Sequence, residues 1–535
     1  MAKRELDAVA VEVLWTRIIS AVDEAAKVIV RTSFSTLSNE ANDFACVLTD
    51  ENGHSLAQNT GSIPSFIGTL PATVRHFLKK FGREAMKPGD VFVTNDPWMG
   101  TGHLNDISLV KPIFWQGNLV AFAATTSHVP DIGGRIRSVE PREVFEEGFH
   151  IPLMRFMREG QADQSLIELL RENVRTPDQT VGDVWAQVSA IDLIEKRVCD
   201  MMREHQLTTL RDLADNLFDR SEKAMRAAIE ALPDGIYRYE IQTDGLEIPM
   251  DFKVALKIGG GDIELDYSGT SKQQPRAINC VYAYTFAMSV YALKCALLPN
   301  LPNNEGILRA VKLKVPEGCI LNPLFPASVG ARAATGHYVP VLVFGALHQI
   351  IPERVMAASG SPLWILTLSG LRNDGRPYAN VLFFNGGTGG RASGDGVSCL
   401  SWPSNISSTP VEVSEHNDPL FIHYKRLRPD SGGEGERRGG LGQDILIESI
   451  SPTDMQAVFM TERTKIAAPG LGGGGTGGLG GVLINDVQVD NRVQHILKTG
   501  DKILMRTPGG GGYNKPERRS DAAIKQDREM GYVKP

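Results

Sequence analysis

The stretch Asn95–Gly134, NDPWMGTGHLNDISLVKPIFWQGNLVAFAATTSHVPDIGG, holds three aspartates and two of the chain's 11 histidines. Ile107–Phe114 and Leu119–Thr126 read as strands joined through Gln116-Gly117-Asn118, a glycine-containing hairpin turn. With the turn centred between Gly117 and Asn118, cross-strand partners sum to about 235, which sets Asp106 near Val129 and Ile107 near His128. The open end of the hairpin then gathers Asp106 and His128. His103 precedes Asp106 in a segment that Gly100 and Gly102 allow to bend, so its imidazole reaches the same point. Two neutral imidazoles and a carboxylate form a common ligand set for zinc, manganese or ferrous iron, with positions left for water or substrate. Asp96 and Asp131 lie close enough in sequence to hydrogen-bond the histidine rings from behind and orient them, although "NDP" and "PD" are also turn chemistry. His54, in "ENGHSL", reads as an exposed turn residue outside this chemistry.

The elements around this hairpin belong to a large mixed chain. Its 535 residues, 42% hydrophobic and 22% charged, suffice for two to four domains. Residues 7–31 carry apolar side chains at three-and-four spacing, the pattern of a core-facing helix. Short apolar runs broken by turn residues follow, including a strand at Val91–Thr94. Residues 163–231 return to helical periodicity with a break at Pro177, and alternating strand-like runs begin near 236. The expected class is α+β in four parts: a mixed α/β region over 1–162 with the metal-site hairpin, a helical block over 163–235, a β-rich region over 236–420 and a glycine-rich, mainly β region over 421–535. The last third holds the runs 383–396, 428–442, 470–481 and 507–513, dense in glycine and suited to buried loops or subunit contacts. None is a phosphate-binding loop or dinucleotide fingerprint, so no nucleotide site is assigned to this chain.

A net charge of -7 argues against nucleic acid, which requires a basic face. No basic start followed by an apolar run and no stretch of about 18 apolar residues occurs, so the expected location is the cytoplasm, without membrane insertion. Six scattered cysteines with no CxxC pair fit reduced thiols.

The motifs "NDPWMGTGHLNDISLVKPIF", "SHVPDIGG" and "EEGFHIP", with "NDFACVLTD", "LAQNTGSIP", "DYSGTS", "PNNEG", "LNPLFPASVGAR", "RPDSGGEGERRGGLG" and "TPGGGGY", resemble the hydantoinase B/oxoprolinase B family in order and along nearly the whole chain. The resemblance implies a large subunit of an ATP-dependent enzyme, the family including hydantoinases, oxoprolinases, a lactam hydrolase and the acetone and acetophenone carboxylases. It implies a companion hydantoinase A-like subunit of actin-like fold that carries ATP and magnesium, hence a hetero-oligomer. It also implies a divalent metal, zinc or manganese, on His103, Asp106, His128 and Asp43, the last resting on the resemblance alone. Hydantoin- and oxoproline-cleaving relatives show a Gly-Gly-Thr-His run and two adjacent histidines, where this chain has Gly100-Thr101-Gly102-His103 and Ser127-His128. These departures incline the reading toward carboxylation of a ketone over opening of a hydantoin, 5-oxoproline or lactam ring. A non-catalytic scaffold with a structural metal is the third alternative.

Overall fold

The computed structural model describes residues 7–372 and 374–534. The opening helix α1 (Ala8–Thr32) is capped by Asp7, whose carboxylate accepts from the Ala10 N–H at 2.7 Å. Next come the short α2 (Thr36–Asn39) and strands β1 (Phe44–Asp50) and β2 (Ser55–Gln58). Helix α3 (Thr69–Phe81) leads to β3 (Val91–Thr94), β4 (Asp106–Trp115), β5 (Asn118–His128), β6 (Met154–Arg158) and β7 (Gln161–Ala162). These seven strands form one antiparallel sheet in the order β2-β1-β5-β4-β3-β6-β7.

The sheet is buried on both faces, which is why its strands read as apolar runs. Phe44, Cys46 and Leu48 of β1, Ile107, Leu109 and Ile113 of β4, and Ala121 and Ala123 of β5 join the layer of α1 and of α4 (Gln164–Asn173), α5 (Pro177–Glu204) and α6 (Arg211–Glu230). Ala45, Val47, Val110, Phe122 and Ala124 turn the other way, into the main core. Pro177 opens α5, as expected of the break between helices. Opposite lie α7 (Tyr282–Leu297) and a four-stranded sheet of β8 (Gly235–Thr243), β9 (Met250–Gly259), β10 (Asp262–Asp266) and β11 (Val311–Lys314), in which only β10 and β11 run parallel.

The C-terminal part stacks two sheets around Trp364, Leu382, Phe384, Ile445, Ile503 and Met505. One is built on β12 (Trp364–Leu371) and β13 (Pro377–Phe384), whose Ile365 and Phe383 face the main core instead. Above the sandwich the glycine runs pack backbone on backbone: Gly440 donates to Thr388 O, Gly510 to Gly440 O, Gly433 to Gly510 O and Gly390 to Gly511 O, at 2.8–3.0 Å. A Cβ on Gly439 would lie 1.9 Å from Gly510 O, so no side chain fits. The class is α+β with several sheets, as the pattern of apolar runs suggested.

Two expectations are corrected. The hairpin turns on Gln116 and Gly117 alone, at φ 48° and 82°, and a bulge opposite Ile113 and Phe114 adds one residue, Val120, to β5. Asp106 therefore pairs directly with His128, and Ile107 with Ser127. His54 is not a free turn residue: Nδ1 lies 3.2 Å from Asp50 Oδ2 and the ring meets Phe218 edge-on. The six cysteines are free thiols, and among the described residues no helix is long and apolar enough to cross a membrane.

Candidate metal centre

Three adjacent strands end side by side at this site. Asp106 opens β4 and His128 closes β5 as a register pair. Phe44 of β1 pairs with Ser127, so Asp43, one residue earlier, sits beside His128, whose N–H donates to Asp43 O at 3.0 Å. With period-two alternation, Asp43, His128 and Asp106 form one row on the main-core face. The loop before β4 brings His103 over the row, Gly102 bending it at φ 110°.

Asp106 Oδ1 lies 2.7 Å from His103 Nε2 and 3.1 Å from His128 Nδ1, and Asp43 Oδ2 lies 3.9 Å from His128 Nδ1. One ligand atom from each of His103, Asp106 and His128 falls within 4.8 Å of the others, and all three side chains are buried. Sequence reasoning thus named four residues that the fold does bring together, and Asp43 joins through a strand pairing invisible in its local spacing. Asp96 and Asp131 do not reach the histidines. Asp96 caps its own turn through the Trp98 and Met99 N–H groups and meets His150 at 3.0 Å, while Asp131 pairs with Arg175 at 2.6 Å.

The groups that orient the cluster come from elsewhere. Arg332 donates to Asp106 Oδ2 at 2.6 Å and to Thr101 O at 3.1 Å, and lies over the Tyr284 ring at 4.7 Å. Thr101 Oγ1 also donates to Asp106 Oδ2, at 2.6 Å. The Gly330 carbonyl lies 3.2 Å from His103 Nδ1. Both distant partners fall within "LNPLFPASVGAR", but only the fold shows what that segment touches.

The donor set fits a cation. Gly330 O and the Asp106 carboxylate can each only accept; with the His103 proton on Nδ1, toward Gly330 O, the Nε2 lone pair faces Asp106 Oδ1 and is free for a cation. Burial, with Arg332 nearby, holds the His103 imidazolium well below its usual range. Burial works to raise Asp106, but the Arg332 guanidinium and the hydrogen bonds the carboxylate accepts outweigh it and keep the carboxyl well below the usual range. In that tautomer a lone pair and a carboxylate oxygen 2.7 Å apart repel unless a positive ion sits close to both. Burial raises Asp43, an effect that a nearby cation would reverse.

Above the cluster is a cavity of about 30 Å³, room for a water or two, lined in part by Ser65, Arg137, Tyr284, His337 and Phe383. His337 is held down to about 3 by burial and by Arg332 and Arg137, so it is neutral there. The geometry also removes one reason for favouring ketone carboxylation. Ser127 points to the helical face, its hydroxyl 2.8 Å from that of Ser38, so a histidine at this position would face away from the cluster. Gly102 is required locally, since a Cβ there would lie 2.7 Å from Arg332 Cδ.

Known proteins share both the motifs and the architecture. The hydantoinase B/oxoprolinase family model matches residues 7–516. The B-type chain of a putative D-/L-hydantoinase of Pseudomonas sp. (strain NS671) is 28% identical, the match covering 99% of this chain and 94% of the relative. The caprolactamase beta chain of Pseudomonas jessenii is 29% identical over 99% of this chain and 94% of its own. The crystal structure of the ATP-dependent caprolactamase from Pseudomonas jessenii superposes with TM-score 0.91 at 26% identity, over 99% of this chain and 95% of that one. Acetone carboxylase in a nucleotide-free structure shares the fold, with TM-score 0.90 at 19% identity over 99% of this chain and 78% of the other. With motifs, architecture and family model agreeing along almost its whole length, the chain belongs to the hydantoinase B/oxoprolinase family.

Proposed function

We propose that this chain is the catalytic subunit of a heteromeric, ATP-dependent amidohydrolase that opens a cyclic amide such as a lactam, hydantoin or 5-oxoproline. The observation that carries the reading is the buried His103–Asp106–His128 cluster, with Asp43 beside it, under a cavity sized for water. The hydantoinase and caprolactamase relatives, matched almost end to end, supply the substrate class. A divalent ion, zinc or manganese, held by these four residues would supply Lewis-acid polarisation of a carbonyl and a lowered pKa for water. The chain's own residues do the positioning. Arg332 and Thr101 fix the Asp106 carboxylate, Gly330 can accept from His103 Nδ1 in the metal-binding tautomer, and the neutral His337 adds no further charge to a cavity that Arg137 and Arg332 already line. ATP and magnesium belong to a companion subunit, in keeping with relatives that are themselves named as one subunit of a larger enzyme.

Carboxylation of a ketone is the second reading, favoured by the Gly100-Thr101-Gly102-His103 run where cyclic-amide relatives carry a different order. Expression with the companion subunit, followed by assays of ATP-dependent ring opening and of bicarbonate-derived carbon fixation, separates the two. Ring opening of a lactam or hydantoin supports the first reading; fixation without ring opening replaces it with the second.

A further inference from the structure

Of the two arginines on the cavity, one is committed and one is not. Arg332 is spent on Asp106, Thr101 and the Tyr284 ring. Arg137 has no carboxylate within ion-pair distance among the described residues. Its contacts are long: Nε to Gly330 O and Nη1 to His128 Nε2, both 3.4 Å. The neighbouring Arg135 takes the surface, near Glu140 and Glu146, which leaves Arg137 as the cation facing inward.

Charge balance points the same way. With both aspartates ionised, Asp43 and Asp106 offset Arg137 and Arg332, so a divalent ion in the cluster leaves the cavity net positive even where Glu147, behind Gly330, is ionised. Such a site favours an anion as ligand. Arg137 reaches the cavity with a guanidinium fork, whose two parallel N–H groups match a planar carboxyl edge.

We propose that Arg137 anchors a planar, singly charged oxyanion beside the cluster: the carboxylate released by ring opening, or the bicarbonate consumed by carboxylation. The assignment rests on the proposed reaction centre and goes beyond it by naming the group that is held and the residue that holds it. A lactam or hydantoin ring is neutral, so in the first reading Arg137 acts on the product and leaves the KM of such a substrate nearly unchanged. In the second it acts on bicarbonate as a substrate.

The test uses the full chain and its Arg137→Gln and Arg137→Lys variants, with metal content measured by mass spectrometry and acetate, bicarbonate and inorganic phosphate titrated by calorimetry. Metal content should stay at the wild-type level in both variants. Acetate and bicarbonate affinity should fall about 10–100-fold in Arg137→Gln, the worth of a hydrogen bond to a charged group, and recover in part in Arg137→Lys. In turnover with the companion subunit, a weakened product inhibition identifies the ring-opening carboxylate, and a raised bicarbonate KM identifies carboxylation. Wild-type protein that binds neither acetate nor bicarbonate, undiminished binding in Arg137→Gln, or preferential phosphate binding lost in that variant would each overturn the assignment. Protein without metal that still binds acetate through Arg137 would instead overturn the metal reading and keep this one.

Discussion

At the scale of single residues, the cluster makes unequal demands on its members. His128 touches Asp106 directly and is 1% exposed, so His128→Ala removes a ligand and opens a small void. Bound metal should fall at least 10–100-fold, the loss typical of changing a group that merely orients a ligand, with a folded circular dichroism spectrum retained. Asp43→Asn should lower metal content less, because Asp43 stands 3.9 Å from His128 and outside the tight triad. Full metal occupancy in folded His128→Ala protein would remove the metal assignment.

Glu147 sets up a pH effect behind the same cluster. Its Oε1 accepts from Ser328 Oγ and from the N–H groups of Val329 and Gly330, while Oε2 is buried without a partner. It thereby braces the Gly330 segment that His103 leans on. Burial pushes this carboxyl from 4.5 to about 7. The folded state then holds a proton that the unfolded state releases, so its stabilising contribution is present below about 4.5 and is lost as pH rises through about 7. Glu147→Gln keeps the neutral shape without the titration. Its melting temperature relative to wild type should rise from pH 5 to about pH 7 and level off above it; a flat difference from pH 5 upward would mean that Glu147 is ionised throughout.

At the scale of elements, the glycine runs are as constrained as any core side chain. A Cβ on Gly509 would lie 1.6 Å from Ser431 O, whereas one on Gly61 would meet nothing within 4 Å. Gly509→Ala should lower stability by about 1–3 kcal/mol or more through overpacking, and Gly61→Ala should leave it nearly unchanged, both measured by chemical denaturation. The sequence showed the density of these runs, but their mutual contacts join segments far apart in the chain, Gly390 with Gly511 among them. Local periodicity did suffice for α1, β3 and the helices over 163–231, because a buried face and a turn residue are local signals. It missed the register of the metal-site hairpin by one residue: the turn sits one residue earlier than the sequence suggested, which moves the pairing by two, and the bulge in β5 restores one.

At the scale of the whole molecule, the chain has a candidate reaction centre, while its sequence carries no phosphate-loop motif. The isolated chain should therefore show no micromolar affinity for ATP by calorimetry, and ATP-dependent turnover should appear only with a companion subunit, as a hetero-oligomer by size measurement. Micromolar binding by the chain alone would place energy coupling within it.

By themselves, the residues His103, Asp106 and His128 announced a metal-type constellation, because a hairpin joins two of them and a three-residue step joins the third. Their motifs also placed the chain in its family. Asp43 entered that ligand set only by resemblance, and tertiary structure alone aligned it with the row, through the pairing of β1 with β5. The same holds for Gly330 and Arg332, which reach the cluster from more than 200 residues away, and for the diversion of Asp96 and Asp131 to His150 and Arg175. Ligand type and close spacing are written in the chain, whereas the partners that set tautomer, charge and cavity shape are chosen by long-range packing, which no local pattern encodes.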